Sequence, residues 1–293
     1  MQCKFEEKQY EAYLMRELLA TKKDRLFPIG QVLEGQIGPD HGFFSRNLDF
    51  WRLWSLGMPV TWKQGVSLTE RFWEYLKKDV DDPLFPKFKI NLLVQYKRPE
   101  FITTPRGGQY PDWKQPYFRY HIDKDQQKIL SMLDTRLSSQ AIVTYACAAF
   151  WKRKELFESY LKQRVVADSN FVRPRRLDGH KTYSFLRGGI TGKAHSKSED
   201  VPSISLLEEI DSGLSRALEF RSNSVFLNSF AEVIRGIMIE AAPDFKATYN
   251  LMLENSGSSE STFETNMVRI MAFTFLMNLS WYVGVEYREG LND

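Results

Sequence analysis

Metal-binding and disulfide-forming residues are scarce in this sequence, which has two cysteines and four histidines among 293 residues. Cys3 and Cys147 lie far apart, so there is neither a disulfide framework nor the paired spacing of a zinc site. Cys147 falls in the apolar run AIVTYACAAF, where a small core residue is expected. The histidines show no ligand spacing either. Zinc-finger and disulfide-stapled classes are therefore excluded.

Long apolar runs, internal repeats and a large excess of one charge are also absent. The most apolar segment, IMAFTFLMNLSWYVGV at residues 270–285, is shorter than the ~20 residues that a membrane span needs and contains Asn278 and Ser280. It therefore predicts a buried or partner-covered helix. The charged N-terminus lacks an apolar signal core, so we expect a cytoplasmic protein. A net charge of +3 permits a nucleic-acid partner without requiring one.

The hydrophobic pattern alternates between helix and strand periodicity, which predicts an α/β protein. A helix at about residues 5–21 is followed later by the apolar strand NLLVQYKRPE, the helix DKDQQKILSMLDTRL, the strand QAIVTYACAAF and the helix KRKELFESYLKQRV. Four of the seven tryptophans fall at about residues 43–88. The segment GHKTYSFLRGGITGKAHSKSED begins with alternating residues and then predicts a Gly/Ser/Lys loop. From Ile204 onward the pattern is helical to the end.

The strand NLLVQYKRPE carries two polar residues on one side. Gln95 and Lys97 are two positions apart and share a face, while Val94 and Tyr96 take the other. Lysine is rarely buried without a partner, so this face is expected to line a cleft. The alternative is an edge strand on which Lys97 acts as a charge against aggregation.

Two further acidic positions stand out. Glu7 and Glu11 fall inside the apolar stripe of the first helix, where a carboxylate is costly unless it meets a cation or a polar cleft. The alternative is a solvated first turn in which the helix dipole favours Glu7. Asp40 follows a glycine and a proline at the end of an extended run, where it either caps a turn or serves a site.

In chain order the candidates are Glu11 on a helix, Pro39-Asp40 after an extended run, and Gln95-Tyr96-Lys97 on an apolar strand that a helix and a strand follow. This order resembles the PD-(D/E)XK superfamily of restriction-endonuclease-like nucleases, in the glutamine variant found in some restriction and defence nucleases. The resemblance covers roughly residues 5–165. It implies a nuclease core in residues 1–165, built as a central mixed sheet flanked by helices. The tryptophan-rich segment at about 43–88 is then an insertion in this core. Residues 166–293 then form a mostly helical region on the core or on a partner.

The resemblance also implies roles for the residues. Asp40 is the principal ligand of a Mg²⁺ ion, and the Gln95 side-chain oxygen and the Tyr96 backbone carbonyl are the other protein ligands. Mn²⁺ is expected to substitute for Mg²⁺. Lys97 orients or helps to deprotonate the attacking water and stabilises developing negative charge. Glu11 holds a metal-bound water or pairs with Lys97, and whether Glu7 or Glu11 is the helix acid stays open.

The function that this resemblance implies is a Mg²⁺-dependent endonuclease, with DNA as the favoured substrate, acting as the effector of an anti-phage defence system. The alternative is a catalytically inactive subunit of the same fold that binds nucleic acid or a partner protein. Since no sensing or NTPase motif is visible, a partner or homo-oligomer is expected to gate the activity. The aromatic residues spread around the predicted helix at 270–285 favour such an interface. The basic run Arg173-Pro174-Arg175-Arg176 either contacts a nucleic-acid backbone or is a solvated loop.

Overall fold

The protein is an α/β structure with two sheets. A computed structural model describes residues 1–22, 25–27, 77–78, 80–82, 86–254 and 263–286. Asp40 and most of the tryptophan-rich segment lie outside these residues. The predicted α/β class and the mixed sheet flanked by helices are confirmed within the described ranges.

The first sheet is mixed and contains the strand that carries Gln95 and Lys97. Its strands are β1 (Leu26–Phe27), β2 (Lys87–Lys97), β5 (Ala141–Ala148), β6 (Ser169–Val172) and β10 (Leu279–Glu286), in the order β1-β10-β2-β5-β6. β2 and β5 are parallel, and every other pair is antiparallel. The parallel register runs from Asn91 opposite Ala141 to Lys97 opposite Cys147.

The second sheet is antiparallel throughout. Its strands are β3 (Glu100–Ile102), β4 (Tyr117–His121), β7 (Thr182–Phe185), β8 (Thr191–His195) and β9 (Glu199–Pro202), in the order β3-β4-β7-β8-β9. The prediction of a Gly/Ser/Lys loop after Phe185 is therefore wrong, because β8 and β9 pair there. Gly192 supports this pairing, since a Cβ at that position would collide with the buried ring of Tyr183.

Helices cover both faces of the first sheet. They are α1 (Glu7–Thr21), α2 (Tyr110–Trp113), α3 (Lys124–Arg136), α4 (Arg153–Leu161), a 3-10 turn (Pro174–Leu177), α5 (Leu206–Arg216), α6 (Asn223–Glu240), α7 (Pro243–Glu254) and α8 (Phe263–Leu276). The predicted helices α1, α3 and α4 are confirmed. Strand alternation explains the layers: Leu92, Val94 and Tyr96 pack with α1, α4 and α5, whereas Leu93 packs with α3, α6 and α8.

The prediction of one helix over residues 270–285 is wrong. Helix α8 ends at Leu276, Asn278 turns the chain with a φ of +49°, and the segment returns as β10 between β1 and β2. A run of apolar residues satisfies a buried helix and a buried strand equally well, so periodicity alone could not separate them. Trp281 is buried there and donates from Nε1 to Asn91 Oδ1 at 2.9 Å.

The interface expected from that helix loses its basis, because Leu279, Trp281 and Tyr282 are core residues of β10. No helix of the described ranges is both long and apolar enough to cross a membrane. Strands β6 and β10, which lie beyond residue 165, hydrogen-bond into the same sheet as β2 and β5. The division of the chain at that residue stays a prediction.

Candidate active site at the end of strand β2

The motif residues lie at the carboxyl end of the parallel pair β2–β5, where ligands commonly bind in α/β sheets. Gln95 and Lys97 share a face, since both contact the side chain of Gln126 on helix α3. Tyr96 points the other way and packs edge-on against Tyr10 of α1. Because β2 runs between β10 and β5, the alternative of an edge strand protected by Lys97 is excluded.

Gln95 is held in place by two amide contacts. Its side chain is buried at 2% exposure, and its Oε1 accepts a hydrogen bond from Gln126 Nε2 at 2.9 Å. Its Nε2 donates to the backbone carbonyl of Tyr96 at 3.2 Å. Both oxygens that the resemblance offers to a metal therefore already accept a hydrogen bond. A carbonyl oxygen has two lone pairs, so these bonds alone do not prevent a metal contact.

Lys97 is a partly buried cation without a carboxylate in direct contact among the described residues. Its Nζ donates to Gln126 Oε1 at 3.0 Å and lies 5.3 Å from the centroid of the Tyr145 ring. Burial lowers the pKa of Lys97, while the charges of Glu7 and Asp123 oppose that shift. Perturbed cations of this kind cluster at functional sites, because burial and selected charges tune proton transfer.

The two acids of helix α1 differ in what they reach. Glu7 accepts a hydrogen bond from Asn278 Nδ2 at 2.9 Å. Burial raises the pKa of Glu7, and the nearby Lys97 counteracts that rise. Glu11 instead forms an ion pair with Lys8 at 2.9 Å and accepts a hydrogen bond from the hydroxyl of Ser280.

The faces of β10 explain this difference between the acids. Leu279 is the partner of Gln95, so strand alternation turns the next residue, Ser280, toward the α1 face. Glu11, bonded to Ser280, thus lies on the side of the sheet opposite Gln95. Glu7, one turn earlier in α1, lies near the end of the strand and is the helix acid whose charge acts on Lys97.

Three site residues were missed by sequence reasoning: Gln126, Asp123 and Asn278. Asp123 is the N-cap of α3, and its side chain accepts a hydrogen bond from the backbone N–H of Gln126 at 2.8 Å. This bond fixes the start of the helix beside Lys97. An aspartate before the helix DKDQQKILSMLDTRL is a recognisable capping signal. Its proximity to Lys97 depends on how α3 docks on the sheet, which no local pattern encodes.

Basic and aromatic residues border this end of the sheet. Trp151 follows β5, and the amines of Lys4 and Lys152 lie 5.4 Å and 5.2 Å from its ring centroid. The Lys4 amide donates to the Trp151 carbonyl at 2.8 Å, which ties the N-terminal segment to this border. Amines beside a partly buried indole suit contact with phosphates.

The donor atoms at the site match a hard cation only in part. Among the described residues no group of three or more His, Cys, Asp or Glu could hold a metal ion. The candidates are oxygen donors, the Glu7 carboxylate and the Gln95 amide oxygen, which suit Mg²⁺ and not zinc. Mg²⁺ is usually held by one or two carboxylates and keeps several waters. Asp40, the implied principal ligand, lies outside the described residues.

No protein-family model, no curated protein and no solved structure matches the chain.

Proposed function

We propose that this protein is a Mg²⁺-dependent nuclease that hydrolyses phosphodiester bonds, with DNA as the favoured substrate. The observation that carries the proposal is the partly buried Lys97, whose pKa is lowered by burial, beside Gln95 at the end of β2. Glu7 and Asp123 add negative charge at this point. Of the motif residues, this grouping contains Gln95 and Lys97; Glu11 lies on the other side of the sheet, and Asp40 lies outside the described residues.

Each residue has a task in this proposal. Lys97 stabilises negative charge on the phosphate and, because its pKa is lowered, exchanges a proton with the attacking water more readily than an exposed lysine. Glu7 and Gln126 position the Lys97 amine. A Mg²⁺ ion held by Asp40, Gln95 and the Tyr96 carbonyl would supply neutralisation of phosphate charge when bound.

A second candidate is a non-catalytic subunit of similar fold that binds nucleic acid or a partner protein. The observation that favours it is that Gln95 Oε1 and the Tyr96 carbonyl already accept hydrogen bonds from amide groups of the protein. The main proposal also includes its biological context. The nuclease acts in the cytoplasm as an anti-phage effector, and a partner or a homo-oligomer controls its activity.

Cleavage of plasmid DNA in Mg²⁺ or Mn²⁺, with and without EDTA, tests the main proposal. We expect Lys97→Met to lower the cleavage rate by about 10²–10⁴-fold, the range for loss of a proton-transfer group. The matched control is Lys89→Met, which removes a second largely buried lysine of β2 that pairs with Glu219 and Glu286. Full cleavage by a folded Lys97→Met protein would contradict the assignment. Metal-dependent cleavage by the wild type that the folded Lys97→Met protein lacks would exclude the non-catalytic subunit.

A further inference from the structure

A cleft of about 500 Å³ opens at the other end of the β2–β5 pair. Its floor is apolar, with Ile204 partly exposed and the buried Ile90 and Ile142 beneath it. Its rim carries exposed hydroxyls and four guanidinium groups, which belong to Arg173, Arg175, Arg176 and Arg216. The cleft joins the α3–β5 loop, the 3-10 turn and helix α5.

One arginine of the cleft is locked by carboxylates. Arg173 donates to Asp134 at 3.0 Å and to Glu209 at 2.6 Å. The Asp134 side chain is fully buried at 0% exposure, so this pair anchors the 3-10 turn to helix α3. Burial raises the pKa of Asp134, while Arg173 and Arg175 oppose that rise. Arg173 is thus a fixed part of the wall with its charge largely balanced.

The other arginines leave an excess of positive charge on the rim. Arg175 lies 3.4 Å from Asp134 and stays 43% exposed. Arg176 and Arg216 are exposed, and neither has a carboxylate partner among the residues that the structure describes. Guanidinium groups bind phosphate oxygens in a bidentate manner, and these two are not occupied by a carboxylate of the described residues.

We propose that this cleft binds a phosphate ester of a nucleotide unit. The guanidinium groups of Arg176 and Arg216 take the phosphate, and the partly exposed Ile204 takes the apolar face of the base. The volume lies within the ~300–1,000 Å³ that is usual for small-ligand sites. The nucleotide is either free or part of a nucleic-acid strand, since both present the same phosphate and base.

The cleft is separate from the candidate active site. Ile90 precedes Lys97 by seven residues along β2, which corresponds to roughly 20 Å at strand spacing. Helix α3 connects the two places, because Gln126 contacts Lys97 near its start and Asp134 fixes the cleft wall near its end. The inference does not depend on the nuclease proposal, since binding is measured without cleavage.

Titration calorimetry with ATP, and fluorescence anisotropy with a labelled single-stranded oligonucleotide, test the inference in EDTA. We expect Arg176→Ala/Arg216→Ala to weaken binding at least tenfold with an unchanged melting temperature. We expect the salt dependence of oligonucleotide binding to become less steep. The matched control is Lys162→Ala/Lys181→Ala, which removes two exposed cations outside the cleft.

The two probes distinguish the sources of the ligand. Binding of ATP that the double variant loses supports a free nucleotide, and loss confined to the oligonucleotide supports a strand. The inference is overturned if neither probe binds at millimolar concentration, or if the arginine and the lysine double variants lose affinity equally. It is also overturned if ATP does not bind and the arginine double variant binds the oligonucleotide as tightly as the wild type.

Discussion

The two ends of the β2–β5 pair present positive charge in opposite ways. At the carboxyl end a single lysine, Lys97, is partly buried against a neutral amide and an aromatic ring, and burial lowers its pKa. At the other end Arg175, Arg176 and Arg216 remain exposed, while Arg173 is locked by the buried Asp134. A partly buried lysine suits proton transfer, whereas exposed arginines without a carboxylate partner suit phosphate binding. The difference suggests chemistry at one end and recognition at the other.

The two ends also differ in how their buried charge is compensated. Asp134 has two cationic partners in direct contact, so removal of the nearer one, Arg173, leaves a buried carboxylate that only the partly exposed Arg175 balances. Lys97 relies on hydrogen bonding to Gln126 and on the more distant charges of Glu7 and Asp123. We therefore expect substitutions at the arginine end to lower mainly the stability and substitutions at the lysine end to lower mainly the activity.

The largest expected effect on stability is that of Arg173→Ala. This change leaves the fully buried Asp134 with only the partly exposed Arg175, and loss of one partner of a buried pair costs about 3–5 kcal/mol. The control is Arg175→Ala, whose 43% exposed side chain is expected to contribute no more than about 1 kcal/mol. Urea unfolding of both variants measures the difference. Equal losses would mean that Asp134 is not anchored by Arg173 in particular.

A smaller loss is expected from Gln126→Leu at the other end. Gln126 bonds both Gln95 and Lys97, but only Gln95 is fully buried, so the unmade hydrogen bond of Gln95 carries the cost, about 1–3 kcal/mol. Nucleic-acid cleavage should fall as well, because the Lys97 amine loses its position. Gln115→Leu, at an exposed position, is the control for introducing a leucine. Wild-type cleavage by Gln126→Leu would show that this contact is dispensable.

The next comparison separates metal binding from structure at Gln95 and rests on the nuclease proposal. Gln95→Glu keeps the acceptor for Gln126 and adds a charge, so half-maximal cleavage should need several-fold less Mg²⁺. Gln95→Leu keeps a similar bulk but removes the oxygen, and cleavage should be lost. A Mg²⁺ titration of the three proteins measures both effects. Unchanged midpoints would assign Gln95 a purely structural role in bonding Gln126 and the Tyr96 carbonyl.

Sequence patterns predicted the elements that local periodicity defines. The helices α1, α3 and α4 and the strands β2 and β5 follow from apolar spacing, and the shared face of Gln95 and Lys97 follows from strand alternation. Strand β10 was missed because a continuous apolar run fits helix and strand alike. Gln126 and Asn278 were missed because they reach the site through the packing of distant segments.

The smallest expected effect lies in the second sheet, at His195. Burial lowers the pKa of His195 from its ordinary 6.5, while Asp112 opposes the shift and His180, Lys193 and Arg119 add to it. Because the folded pKa is depressed, this contribution to stability is present above about pH 6.5 and is lost as pH falls through the folded pKa.

We therefore expect the melting temperature to fall below about pH 6.5, and His195→Gln to flatten that part of the profile. Glutamine can still bond Ser184, which lies 2.7 Å from His195 Nε2. His121→Gln, at a largely exposed position, should leave the profile unchanged. The pKa of Lys97 is also lowered, but its effect on stability lies at alkaline pH. If the melting temperature of His195→Gln falls on the acid side as much as that of the wild type, a group other than His195 is responsible. The two pH ranges thus separate the titration of the second sheet from that of the candidate active site.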